Sequence, residues 1–277
     1  MSVITPARRL EPRNWLNPGA VFSALQHVYI WIWLVVFILP FLTTVVRSLE
    51  TPQGGYSVEA YRFAWNAFSP NLWISVKLTV ATILINLLIA VPAAFAIIRH
   101  PVPGKRFVLS ALNVSLYTPG AVMGLSLAIT YAYLLKIQGT TAGLIAAYTV
   151  GTFPLMLVPV IVALRDLPEV YGEAARTLGA SRLRTLLRIE LPLLGPGISA
   201  GILLTFVIVF NEFLVTLFIA GKSNQPAALV IYGLLGRAGF APSTAALAAI
   251  MQFTSFMVVL LFFKVFGSRY LKGTYLG

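Results

Sequence analysis

Residues 165–192 read RDLPEVYGEAARTLGASRLRTLLRIELP, a strongly charged segment in a largely apolar chain. It holds five arginines and four acidic side chains, yet long apolar runs, 142–164 and 197–220, lie on either side of it. Charged side chains are costly inside a bilayer, so a segment of this composition belongs outside the lipid. The pattern predicts a short helical hairpin on one face of a membrane protein, where it is available to a soluble partner.

The composition of the whole chain supports a membrane protein. Of its 277 residues, 58% are hydrophobic and 10% are charged, with a mean hydropathy of +0.88. Globular domains carry about a quarter charged residues. The net charge of +12 does not indicate nucleic-acid binding, because the basic residues lie in the links between apolar runs rather than in one patch with aromatics. The absence of cysteine excludes disulfides, thiolate catalysis and cysteine-ligated zinc.

Six apolar runs reach the length of about 20 residues that spans a hydrocarbon core of about 30 Å. They are 29–49, 73–98, 108–135, 142–164, 197–220 and 245–266. The sequence therefore predicts an all-α membrane protein with six transmembrane helices. The prolines inside or near the spans predict kinks; they are Pro40, Pro92, Pro119 and Pro154.

The distribution of Lys and Arg predicts the orientation. Of the 20 basic residues, 14 fall on the side of the N-terminus, and such residues concentrate in the cytoplasm. We therefore expect both termini to be cytoplasmic, in a multi-pass protein of the bacterial inner membrane. The expected organisation is a cytoplasmic segment 1–28, a six-span domain 29–266 with a cytoplasmic loop 165–195, and a cytoplasmic tail 267–277.

Local signals predict how the hairpin folds. Asp166 suits a helix N-cap, with Glu169 completing a capping box. Gly179 suits the left-handed position after the helix, and Ser181 can cap a second short helix. Pro192 is expected to end that second helix.

The same segment predicts which side chains lie inward. Val170, Ala174 and Leu178 recur every four residues and form one narrow apolar face of the first helix. In the second helix we expect the leucines to lie inward and the arginines outward. The inward set is Leu183, Leu186 and Leu187, and the outward set is Arg182, Arg184 and Arg188.

The spacing of seven residues in the hairpin resembles the EAA loop of permease subunits of bacterial ABC importers. These residues are Glu173, Ala174, Ala175, Gly179, Ile189, Leu191 and Pro192. The resemblance implies that the loop is a coupling helix, which docks in a groove of a separate ABC ATPase dimer. Glu173 would make a polar contact there, the small residues would permit close approach, and the last three would brace the loop against the spans.

The resemblance also implies the other partners. ATP and Mg²⁺ would bind the ATPase subunit, in keeping with the absence of a phosphate-binding G-x-x-x-x-G-K-[ST] loop in this chain. We expect no cofactor bound by the chain itself. An extracytoplasmic solute-binding protein would deliver the solute, and a second permease subunit would complete the pathway in the membrane. A heterodimer is expected, with a homodimer as the alternative.

The substrate is less constrained. The run from Phe210 to Gly221 resembles the spermidine/putrescine branch of these permeases, although Asn211 replaces the usual acid. Related patterns are known for 2-aminoethylphosphonate, ferric iron and opine-like solutes. Glu212, Asn211 and Tyr117 are candidates for the translocation path or gate. Two interpretations of Glu212 stay open: it lies in a cavity that favours cations, or it pairs with a basic residue, for example at the subunit interface, and holds a gate shut.

Two other classes were weighed against the importer. A secondary transporter needs no ATPase and often shows inverted repeats with broken helices. An intramembrane enzyme needs converging catalytic groups, and the spans carry neither H-E-x-x-H nor a Ser/His pair. We therefore expect a translocation subunit rather than an enzyme.

Overall fold

The computed structural model describes residues 18–267, and within this range the chain is almost entirely helical. The α-helices are α1 Pro18–Leu49, α2 Glu59–Arg99, α3 Lys105–Tyr117, α4 Gly120–Thr130, α5 Thr141–Arg165, α6 Val170–Thr177, α7 Arg182–Thr185, α8 Leu191–Leu193, α9 Gly195–Phe210, α10 Leu214–Ile219, α11 Ala227–Ala238 and α12 Pro242–Phe262. Wider π-turns follow α4, α7 and α12, at Tyr131–Leu135, Leu186–Glu190 and Phe263–Gly267. The all-α class is confirmed. Residues 1–17 and 268–277, which hold most of the expected cytoplasmic ends, lie outside the described residues.

Four of the described helices are long and apolar enough to cross a bilayer, and they contain the first, second, fourth and sixth predicted spans. Two bent helix pairs raise the number of spans to as many as six if each pair is one span. The count of six stays a prediction. The helices also extend beyond the apolar runs: α1 begins at Pro18 rather than at 29, and α2 at Glu59 rather than at 73.

The third and fifth predicted spans are not continuous helices. The third breaks between α3 and α4, which meet at 109°. Thr118 lies in the extended region there, since the Pro119 ring disfavours helical geometry in the residue before it. The fifth breaks at residues 211–213, between α9 and α10. By contrast Pro40, Pro92 and Pro154 lie inside helices that continue past them.

The core of the fold is the packing of α2, α5 and α9. Lipid is as apolar as leucine, so membrane helices associate through small residues that allow close approach. Gly197 and Gly201 on α9 serve this purpose: a Cβ at Gly197 would lie 2.5 Å from the carbonyl oxygen of Pro159, and one at Gly201 would lie 3.1 Å from the Cα of Met156. Each step of four residues along α9 therefore advances about one turn along the antiparallel α5.

Both ends of the hairpin, where it joins the membrane helices, lie at the same end of this core, which we call the inner end. Leu167 precedes the hairpin's first helix and Leu194 follows its second arm, and both are buried. They join one apolar cluster with Ile97 of α2 and Leu164 of α5. The hairpin is thereby anchored on the three helices that form the centre of the protein.

Candidate functional site

The turn of the hairpin has the geometry predicted for Gly179. This residue has φ +86°, in the left-handed region that favours glycine. Its N–H donates to the carbonyl of Arg176, and the N–H of Ala180 donates to the carbonyl of Ala175, each at 3.0 Å. This pair of bonds is a Schellman ending, which satisfies carbonyls at the end of α6. The Ser181 side chain accepts a bond from the N–H of Arg184 at 3.3 Å, so its predicted cap is confirmed too.

Two predictions about the ends of the hairpin are wrong. Asp166 does not cap α6: it is the C-cap of α5, and Glu169 occupies the N-cap of α6 without a side-chain cap bond. Pro192 does not end the second arm, which stays helical through α8 to Leu193. A π-turn precedes the proline, with the N–H of Leu191 bonded to the carbonyl of Leu186. This wider turn accommodates a proline that cannot donate a bond to the preceding helix.

The apolar face of α6 points away from the rest of the chain. Val170 is 59% exposed and Leu178 is 89% exposed, and Ala174 between them is exposed as well. The side of α6 that packs inward is instead made of Gly172 and Ala175, both buried. We call Val170, Ala174 and Leu178 the α6 outer face. It is an unpaired apolar surface beside charged side chains, which is typical of a binding site for another protein.

The second arm carries more exposed apolar surface than predicted. Leu183 and Leu187 are 65% and 53% exposed, so the prediction that they point inward is wrong. The buried position is Thr185, whose methyl carbon would lie 3.8 Å from a Cβ on Gly172. The two arms pack against each other at Gly172 and Thr185, which leaves Leu183 and Leu187 exposed.

The remaining EAA residues divide between the surface and the base of the hairpin. Glu173 is exposed, and among residues 18–267 its carboxylate forms no ion pair. Ile189 and Leu191 are half-buried, and Leu191 packs against the inner cluster of α2 and α5. Pro192 is exposed. The first three motif residues thus lie at or near the free end, whereas Leu191 lies at the root.

The two helix breaks meet in space. Gly120 begins α4 and Leu214 begins α10, and a Cβ on Gly120 would lie 3.2 Å from Leu214 Cδ1. One turn further along, a Cβ on Gly124 would lie 3.0 Å from the Cα of Val215. Backbone without helical hydrogen bonds is tolerated at membrane depth only where protein buries it or where it lines a hydrated cavity. The paired breaks are therefore the candidate translocation site.

The three candidate path residues lie at these breaks. Tyr117 is the last residue of α3 and is 85% exposed, and Asn211 is exposed and donates to the Val207 carbonyl at 2.9 Å. Asn211 also reaches Ser255 of α12, at 3.4 Å. The half-buried Glu212 accepts a bond from the Val215 N–H at 2.9 Å. This carboxylate thus stabilises the positive end of α10, as anions do at helix N-termini.

A buried hydrogen bond supports the α10 side of the break. The hydroxyl of Tyr148 on α5 lies 2.5 Å from Oγ1 of Thr216, and Thr216 also donates to the Glu212 carbonyl. Within the described residues, Glu212 forms no ion pair. The interpretation in which a basic residue of the same chain neutralises Glu212 therefore finds no partner in residues 18–267.

Several functional contacts were missed by sequence reasoning. Arg99 is one of the 14 basic residues that predict the orientation, and its guanidinium also binds the base of the hairpin. Gly197 and Gly201 carry a sequence signal, the spacing of small residues four apart, that predicts close helix packing. The pairing of Tyr148 with Thr216 has no local signal, because 68 residues separate them. No group of three or more metal-ligating side chains is present in the described part of the chain.

The polar hairpin anchored on the core helices, together with two broken spans that meet at their breaks, is typical of a membrane-transport permease. Residues 86–272 match the family model described as "Binding-protein-dependent transport system inner membrane component", and the chain belongs to this family. It is a permease subunit of an ABC importer and not an enzyme, since ATP hydrolysis resides on a separate subunit. This assignment replaces the secondary transporter weighed from the sequence.

The chain resembles permeases with different named solutes. It is 28% identical to the spermidine/putrescine permease protein PotC of Escherichia coli (strain K12), over 80% of this chain and 86% of PotC. It is also 28% identical to the molybdate/tungstate permease protein WtpB of Thermococcus kodakarensis, over 78% and 84% of the two chains. Its fold resembles a bacterial ABC transporter involved in the import of the acidic polysaccharide alginate. That match has a TM-score of 0.70 at 16% identity, and covers 90% of this chain and 96% of the other.

Proposed function

We propose that the hairpin of residues 165–195 is the surface on which an ABC ATPase subunit docks, so that ATP-driven motion of that subunit moves the spans. The observation that carries this proposal is the α6 outer face, an exposed apolar strip ending at Leu178, 89% exposed. The strip lies on a helix fixed at its end by the Gly179 turn and rooted in the core through Leu167 and Leu194.

The chemistry of the hairpin suits a groove in a soluble protein. Burial of an apolar strip supplies affinity, at roughly 25 cal/mol for each Å² removed from water. Glu173 lies on the same exposed helix and is free to make a polar contact with the groove. Ala174 adds little bulk, which lets the partner's backbone come close. The rigid turn means that little conformational entropy is lost on docking.

The proposed topology has six spans, with the hairpin and both termini in the cytoplasm. The bias of Lys and Arg supports this orientation. In this arrangement α3 and α4 form the third span, bent by 109°, and α9 and α10 form the fifth span, broken at residues 211–213. The irregular backbone at both breaks would then line the path that the solute takes.

We propose that the solute is small, charged and polyamine-like. Relatives at the same 28% identity carry names of solutes with opposite charge, spermidine/putrescine and molybdate/tungstate, so identity does not select between them. Glu212 favours a cation, because it is the only acidic residue of the sequence inside a predicted span. One of its oxygens caps α10, and the other has the charge to contact an ammonium group. Phosphonate, ferric iron and opine-like solutes are the alternatives.

Two further partners belong to the proposal. A second, related permease chain would complete the path, because Tyr117 and Asn211 at the breaks of one chain are exposed. An extracytoplasmic binding protein would deliver the solute to the opposite end. The most apolar stretch of α1 contains no buried residue, and a surface of this kind suits contact with lipid or with the second chain.

The Glu173→Lys and Gly179→Leu variants test the docking proposal. Both should insert normally, lose solute uptake and bind the ATPase subunit more weakly. Gly236→Leu is the matched control, because a Cβ at Gly236 meets no atom within 4 Å and lies on α11, far along the chain from the hairpin. Normal uptake together with normal ATPase binding in both hairpin variants would refute the docking role.

A further inference from the structure

Arg99, the last residue of α2, bridges this helix to the base of the hairpin. Its Nη2 donates to the carbonyl of Leu167 at 2.9 Å, and its Nη1 lies 2.5 Å from Oε1 of Glu169. The arginine side chain is only 17% exposed, whereas that of Glu169 is 64% exposed. The planar guanidinium thus holds two points of the linker between α5 and α6 at once, in the forked geometry that suits arginine and not lysine.

The linker that Arg99 holds is short, and its own backbone bonds run only to the adjoining ends of α5 and α6. Residues 166–169 join α5 to α6, and Pro168 within them has no N–H to donate. Leu167 at one contact is buried in the inner cluster, beside Ile97 of α2. A displacement of the linker is therefore resisted on one side by apolar packing and on the other by the Arg99 bonds.

Arg99 is placed to act on α2 in particular. The helices α5 and α9 are continuous with the hairpin along the chain, so they follow its motion directly. The helix α2 is separate in sequence from the hairpin: Leu167 lies 68 positions after Arg99. It nevertheless packs on both α5 and α9 through the core, with the buried Asn86 bonded to Thr152 of α5.

We propose that Arg99 is a positioning residue that transmits displacement of the hairpin to α2, so that all three core helices move together. This inference rests on the docking role proposed above. The ion pair is too exposed at Glu169 to be a major source of stability. Its effect is geometric: it fixes where the linker sits relative to the end of α2.

The test compares uptake per ATP hydrolysed in proteoliposomes that contain the full transporter. Arg99→Gln should keep ATPase-subunit binding and ATP hydrolysis near the wild-type values, and should lower uptake per ATP by about tenfold, within the range seen for substitutions along coupling networks. Arg99→Lys should recover part of this loss, because an ammonium group keeps the charge but does not span both acceptors. Arg106→Gln is the control, since it removes an exposed charge seven residues further along the chain.

Each outcome bears on one proposal. A wild-type ratio in Arg99→Gln would overturn the tether, and so would loss of ATPase binding, which would make Arg99 part of the docking surface. If Arg99→Gln does not fold, Glu169→Ala replaces it, because it removes the acceptor oxygens from a side chain that is 64% exposed; a wild-type ratio there would also overturn the proposal. Glu173→Lys and Gly179→Leu in the same assay test docking separately: normal uptake with normal ATPase binding in both variants would refute the proposed function whatever Arg99 does.

Discussion

Gly120 and Leu214, each the first residue of a half-helix, are in contact across two spans. A Cβ on Gly120 would lie 3.2 Å from Leu214 Cδ1, and the contact continues one turn further at Gly124, against the backbone of Val215. The broken third and fifth spans are thus joined at their breaks. If the hairpin moves α9, this contact would pass the movement on to α4. ATP-driven motion of the hairpin would in this way reach the proposed path.

Gly124→Ala should destabilise the protein. The added Cβ would lie 2.7 Å from Phe218 Cδ2 and 3.0 Å from the Cα of Val215, and overpacking of this kind costs about 1–3 kcal/mol. Gly233→Ala is the same substitution in α11, where a Cβ meets nothing within 4 Å, so it should be neutral or slightly stabilising. Thermal unfolding in detergent measures both. Equal unfolding temperatures would contradict the close packing of α4 on α10.

Gly179→Ala should weaken ATPase binding through the backbone alone. No atom lies within 4 Å of the new Cβ, but φ +86° costs an L-residue about 1–2 kcal/mol. We expect affinity for the ATPase subunit to fall by about fivefold to thirtyfold if the whole cost appears in binding. Gly179→Asn should keep most of the affinity, because asparagine tolerates the left-handed region. An unaffected Gly179→Ala variant would show that the turn need not be rigid.

Glu212 substitutions separate its capping role from a role in solute transport. Glu212→Gln keeps an oxygen that can accept the Val215 N–H bond, so folding should change little, whereas uptake of a cationic solute should fall by about tenfold or more. Glu212→Leu removes the cap as well and should lower stability by about 0.5–2 kcal/mol. Uptake assays and thermal unfolding distinguish the two effects. Wild-type uptake in Glu212→Gln would leave Glu212 as a cap only.

Tyr148 and Thr216 should show measurable coupling in a double-mutant cycle. Their hydroxyl oxygens lie 2.5 Å apart in a buried contact between α5 and α10. Hydrogen bonds between membrane helices average about 0.6 kcal/mol, with values up to about 1.7 kcal/mol. Tyr148→Phe, Thr216→Val and the double variant should therefore be non-additive by that amount in the free energy of unfolding. Additive effects would remove this bond as a support of the break.

Local chemistry made the tip of the hairpin predictable from the sequence. The left-handed Gly179 and the Ser181 cap depend on neighbouring residues only, and both are present. The predicted start of the hairpin at Asp166 is wrong. Asp166 directly follows α5, which ends at Arg165, and it is therefore a C-cap rather than an N-cap. The sequence predicted the end of α5 to within one residue, at 164, but it placed the start of α6 too early, since the N-cap of α6 is Glu169.

The breaks in the spans could not be predicted from hydropathy. The runs 108–135 and 197–220 are each long and apolar enough to predict one span, even with Asn211 and Glu212 in the second. A hydropathy profile does not register a change of helix direction. Pro119 was recognised as a kink, but the 109° bend depends on packing of α4 against α10 as well as on the proline. The cap from Glu212 to Val215 became visible only once the helix was seen to restart at Leu214.

The accessibility of position 178 tests whether the hairpin is the cytoplasmic surface on which the ATPase subunit docks. The chain has no cysteine, so the Leu178→Cys variant carries a single thiol at the exposed end of the α6 outer face. A membrane-impermeant maleimide should label it in inside-out vesicles, and added ATPase subunits should protect it. The matched control is Phe240→Cys, which replaces a side chain 78% exposed between α11 and α12 and should be labelled from the opposite side without protection. If bound ATPase subunits do not change labelling of the Leu178→Cys variant, the hairpin is not the docking surface. If the variant is labelled only from outside the cell, the hairpin is not cytoplasmic.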